Sequence, residues 1–375
     1  MVLRLALRNL FYDRIRFAAT LVGIVFSTSL ITIQLGLYVS SERMITTLID
    51  HAQADLWIVP RETRSFENGA VLPGRERYLA LATPGIVAAT EIVVSFAEWR
   101  KPSGGRIPIV LVGAEPGAGG PTVWNVVAGT LEAMRMPDAV GIDRTYLRDL
   151  GVGGLGDEAE IFDKRARVAA VTQGIRSFTT LPYVFTTLAG ARRYLDVERH
   201  RSTYVLLRLA PDADLEAVRS ALLPRLREAE VLTTAEMRRR TVEHWLFGTG
   251  AGAALIAGAV LGVLVGAVIV GQSLYASTRD HLPEFATLRA LGSSAGYIHR
   301  VILVQAGLCA VMGYALGALV GLFVTWVTAE SAMPVVVTPP LASLIFLITV
   351  VMCSAAAISA IVKIMRLEPA SVFTR

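Results

Sequence analysis

Few residue patterns in this chain could do chemistry. Gly151-Val-Gly-Gly-Leu-Gly156 has the G-x-G-x-x-G spacing with which a glycine-rich loop cradles a pyrophosphate. It runs on into Asp157-Glu-Ala-Glu160 instead of a helix start, so it reads as a turn. Gly292-Ser-Ser-Ala-Gly296 has the G-x-S-x-G spacing of a nucleophile elbow, with Ser294 in the centre and His299 nearby. An elbow follows a β-strand, whereas this stretch follows a helical pattern and precedes an apolar run of membrane length, as a helix break would. A P-loop needs G-x-x-x-x-G-K-[ST], and Lys101, Lys164 and Lys363 lie in no such loop. The five histidines lack metal-ligand spacing. Cys309 and Cys353 fall inside apolar runs as small buried hydrophobes. These residues predict no catalytic group, no metal site and no cofactor in this chain.

The stretch with most to say is 276–300. Pro283 suits a first helical turn, Glu284 suits the positive end of a helix, and Gly292 suits the position after its last turn. Leu282, Phe285, Leu288 and Leu291 recur at threes and put an apolar stripe on a short helix. Such a helix either lies on the membrane surface or docks a partner.

The elements around this stretch are set by hydropathy. Of the 375 residues, 53% are hydrophobic and 18% charged, against about 25% charged in an average soluble domain, and the mean hydropathy is +0.53. A bilayer span needs about 20 apolar residues. Four runs qualify: Phe17–Val39, Phe247–Tyr275, Val301–Thr328 and Leu341–Val362. The first is too long for a signal peptide, and no small-residue cleavage site follows it. None of the four contains Asp, Glu, Lys, Arg or His, which argues against a proton- or sodium-coupled carrier.

Arg4, Arg8, Arg14 and Arg16 precede the first span, Arg279, Arg289 and Arg300 lie between the second and third, and Lys363, Arg366 and Arg375 follow the fourth. The positive-inside rule then places both termini and 276–300 in the cytoplasm. The net charge of +5 fits these loops better than it fits nucleic acid. Tyr38, Trp245 and Trp326 fall at the outer helix ends, where an aromatic belt is expected.

Residues 41–244 read as a mixed α/β domain. Its β-like runs are Leu56–Val59, Ile107–Val112, Val168–Val171 and Tyr204–Leu209, and its helical stretches are Asp214–Glu228 and Thr234–Val242. The stretch Gly141–Val171 looks like a second lobe inserted into the first. In the spans, Gly258, Gly262 and Gly266 repeat every fourth residue, as do Gly313, Gly317 and Gly321. Each row gives a smooth helix face that another helix can approach closely, within one subunit or across a dimer.

Glu284-Phe-Ala-Thr-Leu-Arg-Ala-Leu-Gly292, with Tyr297-Ile and Leu303-Val-Gln-Ala306 after it, resembles the cytoplasmic loop of MacB/FtsX-type ABC permeases. Leu5-Ala-Leu-Arg-Asn-Leu10 resembles their N-terminal amphipathic helix, and Arg366-Leu-Glu-Pro-Ala370 their C-terminal tail. Gln34-Leu-Gly36 with Ala54-Asp-Leu-Trp57 looks most like the DevC subgroup. The resemblance implies a coupling helix that seats in a groove of a separate ATPase, carried by Leu282, Glu284, Phe285, Leu288, Arg289, Leu291 and Gly292, with Arg4 and Arg8 holding the N-terminal helix at the membrane surface. It implies a homodimer with two ABC ATPase subunits that bind ATP and Mg. The DevC-like features add a membrane-fusion protein and an outer-membrane channel.

The expected protein is thus a membrane α-helical permease of the bacterial inner membrane, with four transmembrane helices and an α/β extracytoplasmic domain inserted between helices 1 and 2. Its expected segments are the N-terminal helix 1–16, spans 17–40, 245–275, 301–329 and 341–362, the extracytoplasmic domain 41–244, the coupling loop 276–300, the outer loop 330–340 and the tail 363–375. Export by mechanotransmission is the expected function. The rival is an FtsX-like regulator of an extracytoplasmic enzyme that transports nothing.

Overall fold

A run with neither charge nor proline from Phe17 to Val39 can satisfy its backbone in lipid only as a helix. In the computed structural model, which describes residues 2–281, 287 and 295–365, the chain opens with α1 (Val2–Tyr12) and α2 (Arg14–Asp50). At roughly 1.5 Å per residue, the 37 residues of α2 extend about 55 Å, well beyond about 30 Å of hydrocarbon. The helix therefore outruns the expected span. It continues from Ser41 because Met44, Ile45, Leu48 and Ile49 keep a helical period and are all buried.

Then come β1 (Leu56–Pro60), α3 (Glu76–Leu81), β2 (Ile86–Arg100), β3 (Arg106–Ala114), β4 (Val126–Gly129), β5 (Ala139–Asp143), α4 (Leu147–Leu150), β6 (Glu158–Ile161), β7 (Lys164–Thr172), β8 (Tyr183–Thr186), α5 (Leu188–Leu195), β9 (Tyr204–Leu209), α6 (Leu215–Leu222), β10 (Ala229–Thr233) and α7 (Thr234–Val242). A π-helical turn, Glu243–Gly248, leads to α8 (Ala251–Asp280), followed by α9 (Ala295–Thr328) and α10 (Pro339–Met365). Among the described residues, α2, α8, α9 and α10 are the helices long and apolar enough to cross a bilayer.

The chain forms two compact units. One holds residues up to Ser40, Ala253–Ala329 and those from Pro334, and the other holds Ser41–Gly252 with Glu330–Met333. The second unit, the sheet domain, is built on one mixed sheet of order β10-β1-β9-β2-β3-β8-β5-β7-β4. Most neighbours are antiparallel, while β3 with β8 and β5 with β7 are parallel. Strand β6 pairs with both β7 and β2, through Trp99 opposite Ile161. Strands β2, β3, β8, β5, β7 and β6 thereby close into a ring. One parity of side chains fills it: Val93, Ala97 and Trp99 of β2 meet Ile109 and Leu111 of β3, Val184 of β8, and Val140 and Ile142 of β5.

The expected inserted lobe at Gly141–Val171 is therefore half of a ring that shares β2 with the open sheet. With 15 residues, β2 is long enough for both duties: Ile86–Ile92 pair with β9, and Ile92–Arg100 pair with β3. The open part is apolar on both faces. Leu56 and Ile58 of β1 pack under Ala80 of α3 and under Val218 and Leu222 of α6. Trp57 and Val59 face Leu48 and Ile49 of α2 and Met237 of α7.

Caps place the helices of this domain. Thr233 and Glu236 form a capping box on α7, with bonds of 3.1 and 2.8 Å. The helix expected at Asp214–Glu228 ends at Leu222, because Pro224 has no N–H to continue it and a 3-10 turn takes over. The expected Thr234–Val242 helix is α7.

Candidate functional site

The seven residues expected to form the coupling helix, Leu282, Glu284, Phe285, Leu288, Arg289, Leu291 and Gly292, lie outside the described residues. The helices that flank that loop and, separately, the sheet domain carry the described candidate residues.

In the helical unit, both glycine rows face α2 of the same chain. A Cβ on Gly258 would stand 2.6 Å from the Gln34 amide, one on Gly262 3.0 Å from Ile31, and one on Gly266 2.4 Å from Ser27 Oγ. The α9 row meets the same helix in the opposite sense: Gly313 against Ile24 at 2.3 Å, Gly317 against Thr28 at 2.8 Å and Gly321 against Thr32 at 2.7 Å. Hence α2 lies between α8 and α9, antiparallel to the first and parallel to the second. Its Ser27, Thr28 and Thr32 are buried, with Ser27 Oγ donating to Gly262 O at 2.7 Å and Thr32 Oγ1 to Thr28 O at 2.7 Å. These hydroxyls, small and internally bonded, let three backbones approach closely without an ionised group. Cys309 and Cys353 are buried in the same core.

At the end of the helical unit near the loop, Arg16 Nη1 lies 2.7 Å from Asp280 Oδ2 and Arg16 Nε 3.5 Å from Asp13 Oδ2. Arg4 and Arg8, one turn apart on α1, are exposed, while Ala6 and Asn9 on the other side of that helix are buried.

In the sheet domain, a buried carboxylate organises the approach to α8. Glu67, 3% exposed, accepts from Tyr183 Oη and Trp245 Nε1, each at 2.9 Å. Burial raises its pKa above the ordinary carboxylate value, and the bonds from Trp245 and Tyr183 work against that rise. Burial also lifts the Tyr183 hydroxyl well above its usual range, and the nearby Glu67 adds to the rise. The Phe178 ring stands 6.0 Å from Trp245. Trp245 itself belongs to the π-helical turn, an irregularity that recurs at working sites in helices. The expected belt residue is therefore held by its indole N–H within the sheet domain. Trp326, 75% exposed, has the exposure a belt residue needs.

Two further features complete the picture. Glu330 and Ala332, from the loop between α9 and α10, belong to the sheet domain's unit. Arg144 Nη2 meets Glu330 Oε1 at 3.2 Å, and Ala332 packs against the ring core. The glycine motif at 151–156 is a turn, as its sequence suggests. Gly151 ends α4 at φ +70°, Gly153 N donates to Asp157 Oδ2 at 2.6 Å, and β6 follows.

No local pattern points to Glu67, because it lies in an irregular segment and its partners are 116 and 178 residues away. The α2 contact surface did leave a trace: Thr28 and Thr32 sit four residues apart with Ser27 beside them, the small-residue counterpart of a glycine row.

Two family models match the chain. Residues 17–224 match the MacB-like periplasmic core domain, and residues 256–369 match the FtsX-like permease C-terminal region. Solved structures similar to it include the periplasmic region of MacB from Actinobacillus actinomycetemcomitans, at 11% identity over 52% of this chain and 96% of that one, with a TM-score of 0.39. Another is the extracellular domain of the noncanonic ABC-type transporter YknZ from Gram-positive bacteria, at 13% identity over 48% and 99%, with a TM-score of 0.35. No protein of curated function matches the chain.

Proposed function

The chain belongs to the MacB/FtsX family of ABC-type permeases, and from that membership we propose that it is the membrane subunit of an ATP-driven exporter that works by mechanotransmission. It acts on a substrate already beyond the inner membrane or in its outer leaflet. The observation that carries this reading is α2, one unbroken helix from Arg14 to Asp50. Its first part is gripped by the glycine rows of α8 and α9, and its last turns, with Leu48 and Ile49, are part of the sheet domain's core. The proposed mechanism uses this continuous helix as its transmitting element. The spans, free of ionisable residues between Phe17 and Val39 and within the other three apolar runs, suit force transmission better than a hydrophilic pore.

In this mechanism two ABC ATPase subunits bind ATP and Mg and close on each other. They pull on the helix carrying Leu282, Glu284, Phe285, Leu288, Arg289, Leu291 and Gly292 in each half of a homodimer. Both termini lie in the cytoplasm, and Arg4 and Arg8 hold α1 at the lipid surface. A membrane-fusion protein and an outer-membrane channel complete the export route in the DevC-like form of this reading.

The test is affinity purification of the chain from its native membrane in mild detergent, beside a Phe285→Asp, Leu288→Asp variant. The expected result is an ABC ATPase that accompanies the wild type and is lost with the variant. If no ATPase appears even after crosslinking, the exporter has no energy source and the proposal fails. Substrate-stimulated ATP hydrolysis separates export from an FtsX-like regulatory role, in which a bound extracytoplasmic enzyme would respond instead.

A further inference from the structure

Within the helical unit α2 begins where α8 ends, and two charges there oppose their own helices. Arg16 stands in the first turn of α2, at the positive end of that helix, and Asp280 is the last residue of α8, at its negative end. A helix dipole favours the reverse of both placements. The positive-inside rule accounts for Arg16, which follows Arg14 at the start of the span. It does not account for Asp280, because acidic residues contribute little to that rule. Asp280 is explained by its partner: Arg16 Nη1 donates to Asp280 Oδ2 at 2.7 Å.

The corner between α1 and α2 fixes this contact. Asp13 Oδ1 accepts from Arg16 N at 3.0 Å and so caps α2, while Asp13 Oδ2 lies 3.5 Å from Arg16 Nε. The guanidinium is held between a carboxylate beside its own helix and one on α8. Tyr12, on the other side of the corner, meets the buried His281 ring edge-on at 5.5 Å. Tyr12 and Arg16 therefore grip the consecutive residues 281 and 280. The next residue is Leu282, the first of those expected to couple to the ATPase. One turn further along α2, Thr20 Oγ1 bonds to Ser273 Oγ, and beyond it Ser27 Oγ bonds to Gly262 O, so the two helices stay joined into the span.

We propose that Arg16 and Asp280 are positioning residues of the coupling apparatus. Their ion pair, with Tyr12 on His281, clasps the start of the coupling loop to the first turn of α2, and motion imposed on that loop enters α2 there. The inference rests on the mechanotransmission reading and names the point at which force enters. The two side chains are 32% and 44% exposed, so the pair adds little to stability. Breaking it should change coupling while the fold persists.

The experiment uses the complex of the full chain with its copurifying ATPase, in lipid nanodiscs. Donor and acceptor dyes on Ser103→Cys, in the exposed turn between β2 and β3, report the distance between the two copies, since Cys309 and Cys353 are buried and stay unlabelled. Expected is a change in energy transfer when ATP and orthovanadate are added to the wild type. Arg16→Ala and Asp280→Ala should each keep the ATPase bound and hydrolysing, with an unchanged unfolding midpoint, yet lose most of that change. The exchanged pair, Arg16→Asp with Asp280→Arg, should restore it, and its charges suit both helix dipoles. If both single variants respond as the wild type does, the clasp is an ordinary surface ion pair and the proposal falls, while mechanotransmission stands. If the exchange restores nothing, the two residues do not act as a pair and the proposal falls as well. A wild type that brings down no ATPase, or hydrolyses ATP with no change in transfer, overturns mechanotransmission itself and the clasp with it.

Discussion

The helical bundle and the sheet domain of this chain solve the same packing problem by opposite means. The bundle is held by shape: glycine rows on α8 and α9 admit α2, and the buried hydroxyls of Ser27 and Thr32 bond to backbone carbonyls of α8 and α2. The sheet domain is held by shape and charge together. Glu67 sits among Tyr183, Tyr204 and Trp245, and Glu91 of β2 lies 3.6 Å from Arg77 and 3.4 Å from Arg192. The difference follows from the solvent. In lipid an unpaired charge has nowhere to go, so the spans do without charge altogether. In water a buried charge is tolerable wherever neutral donors or opposite charges surround it. Added volume should therefore disturb the bundle, whereas pH should disturb the sheet domain.

The largest effect is expected from volume. Gly313→Ala would put a Cβ 2.3 Å from the Cγ2 and 2.7 Å from the Cβ of Ile24, whose branched side chain cannot swing away. Overpacking of this kind costs about 1–3 kcal/mol. Gly307, six residues earlier on the same helix, faces open space, so Gly307→Ala should leave the stability unchanged. Thermal unfolding of the detergent-solubilised chain compares the two. Equal midpoints would mean that α9 does not pack on α2 through its glycine row.

A pH series comes next in size. Glu67 is raised above its ordinary value of 4.5 in the folded state. Between 4.5 and that raised pKa the folded chain binds more protons than the unfolded one, so its stability rises as pH falls through this window. Above the raised pKa the buried charge costs a constant amount. Glu67→Gln removes this dependence, because its amide stays neutral throughout. The wild type should therefore gain on the variant as the pH is lowered from neutral toward 4.5, with unfolding followed by Trp fluorescence. A constant difference across that range would place Glu67 outside the titrating groups and weaken the contrast between the two regions. Glu67→Ala should cost roughly 2 kcal/mol at neutral pH, since it strands two buried donors.

The two regions also differ in how far they can be read in advance. The bundle is legible because its rules are one-dimensional: a span is a length of apolar residues, and a glycine row is a period of four. What the sequence left open, whether Gly258–Gly266 and Gly313–Gly321 pack within a chain or between chains, depends on which helix fills them. In the structure Ile24, Thr28, Thr32 and their neighbours on α2 fill both rows. In the sheet domain the apolar runs at Leu56, Ile107, Val168 and Tyr204 are strands, as their composition suggests. The longest strand, β2, escapes notice because Thr90, Glu91, Ser95 and Glu98 interrupt its apolar residues. Those interruptions reflect its double duty, with one end in the open sheet and the other in the ring. Ring closure through β6 pairs residues about 60 positions apart, Arg100 with Glu160, which no local period encodes.

The smallest effect tests whether charge matters wherever it occurs in the sheet domain or only where it is buried. Arg144 and Glu330 meet at 3.2 Å, but their side chains remain 48% and 86% exposed. Water competes for both, and salt screens what remains, so such a pair contributes at most about 0.5 kcal/mol. Arg144→Ala should accordingly shift the unfolding midpoint barely at all, and 0.5 M salt should erase even that shift. A loss as large as that of Glu67→Ala would show that the loop between α9 and α10 is held to the ring by this ion pair, not by the packing of Ala332 on the ring core. The dividing line would then be set by position on the ring and not by burial of charge.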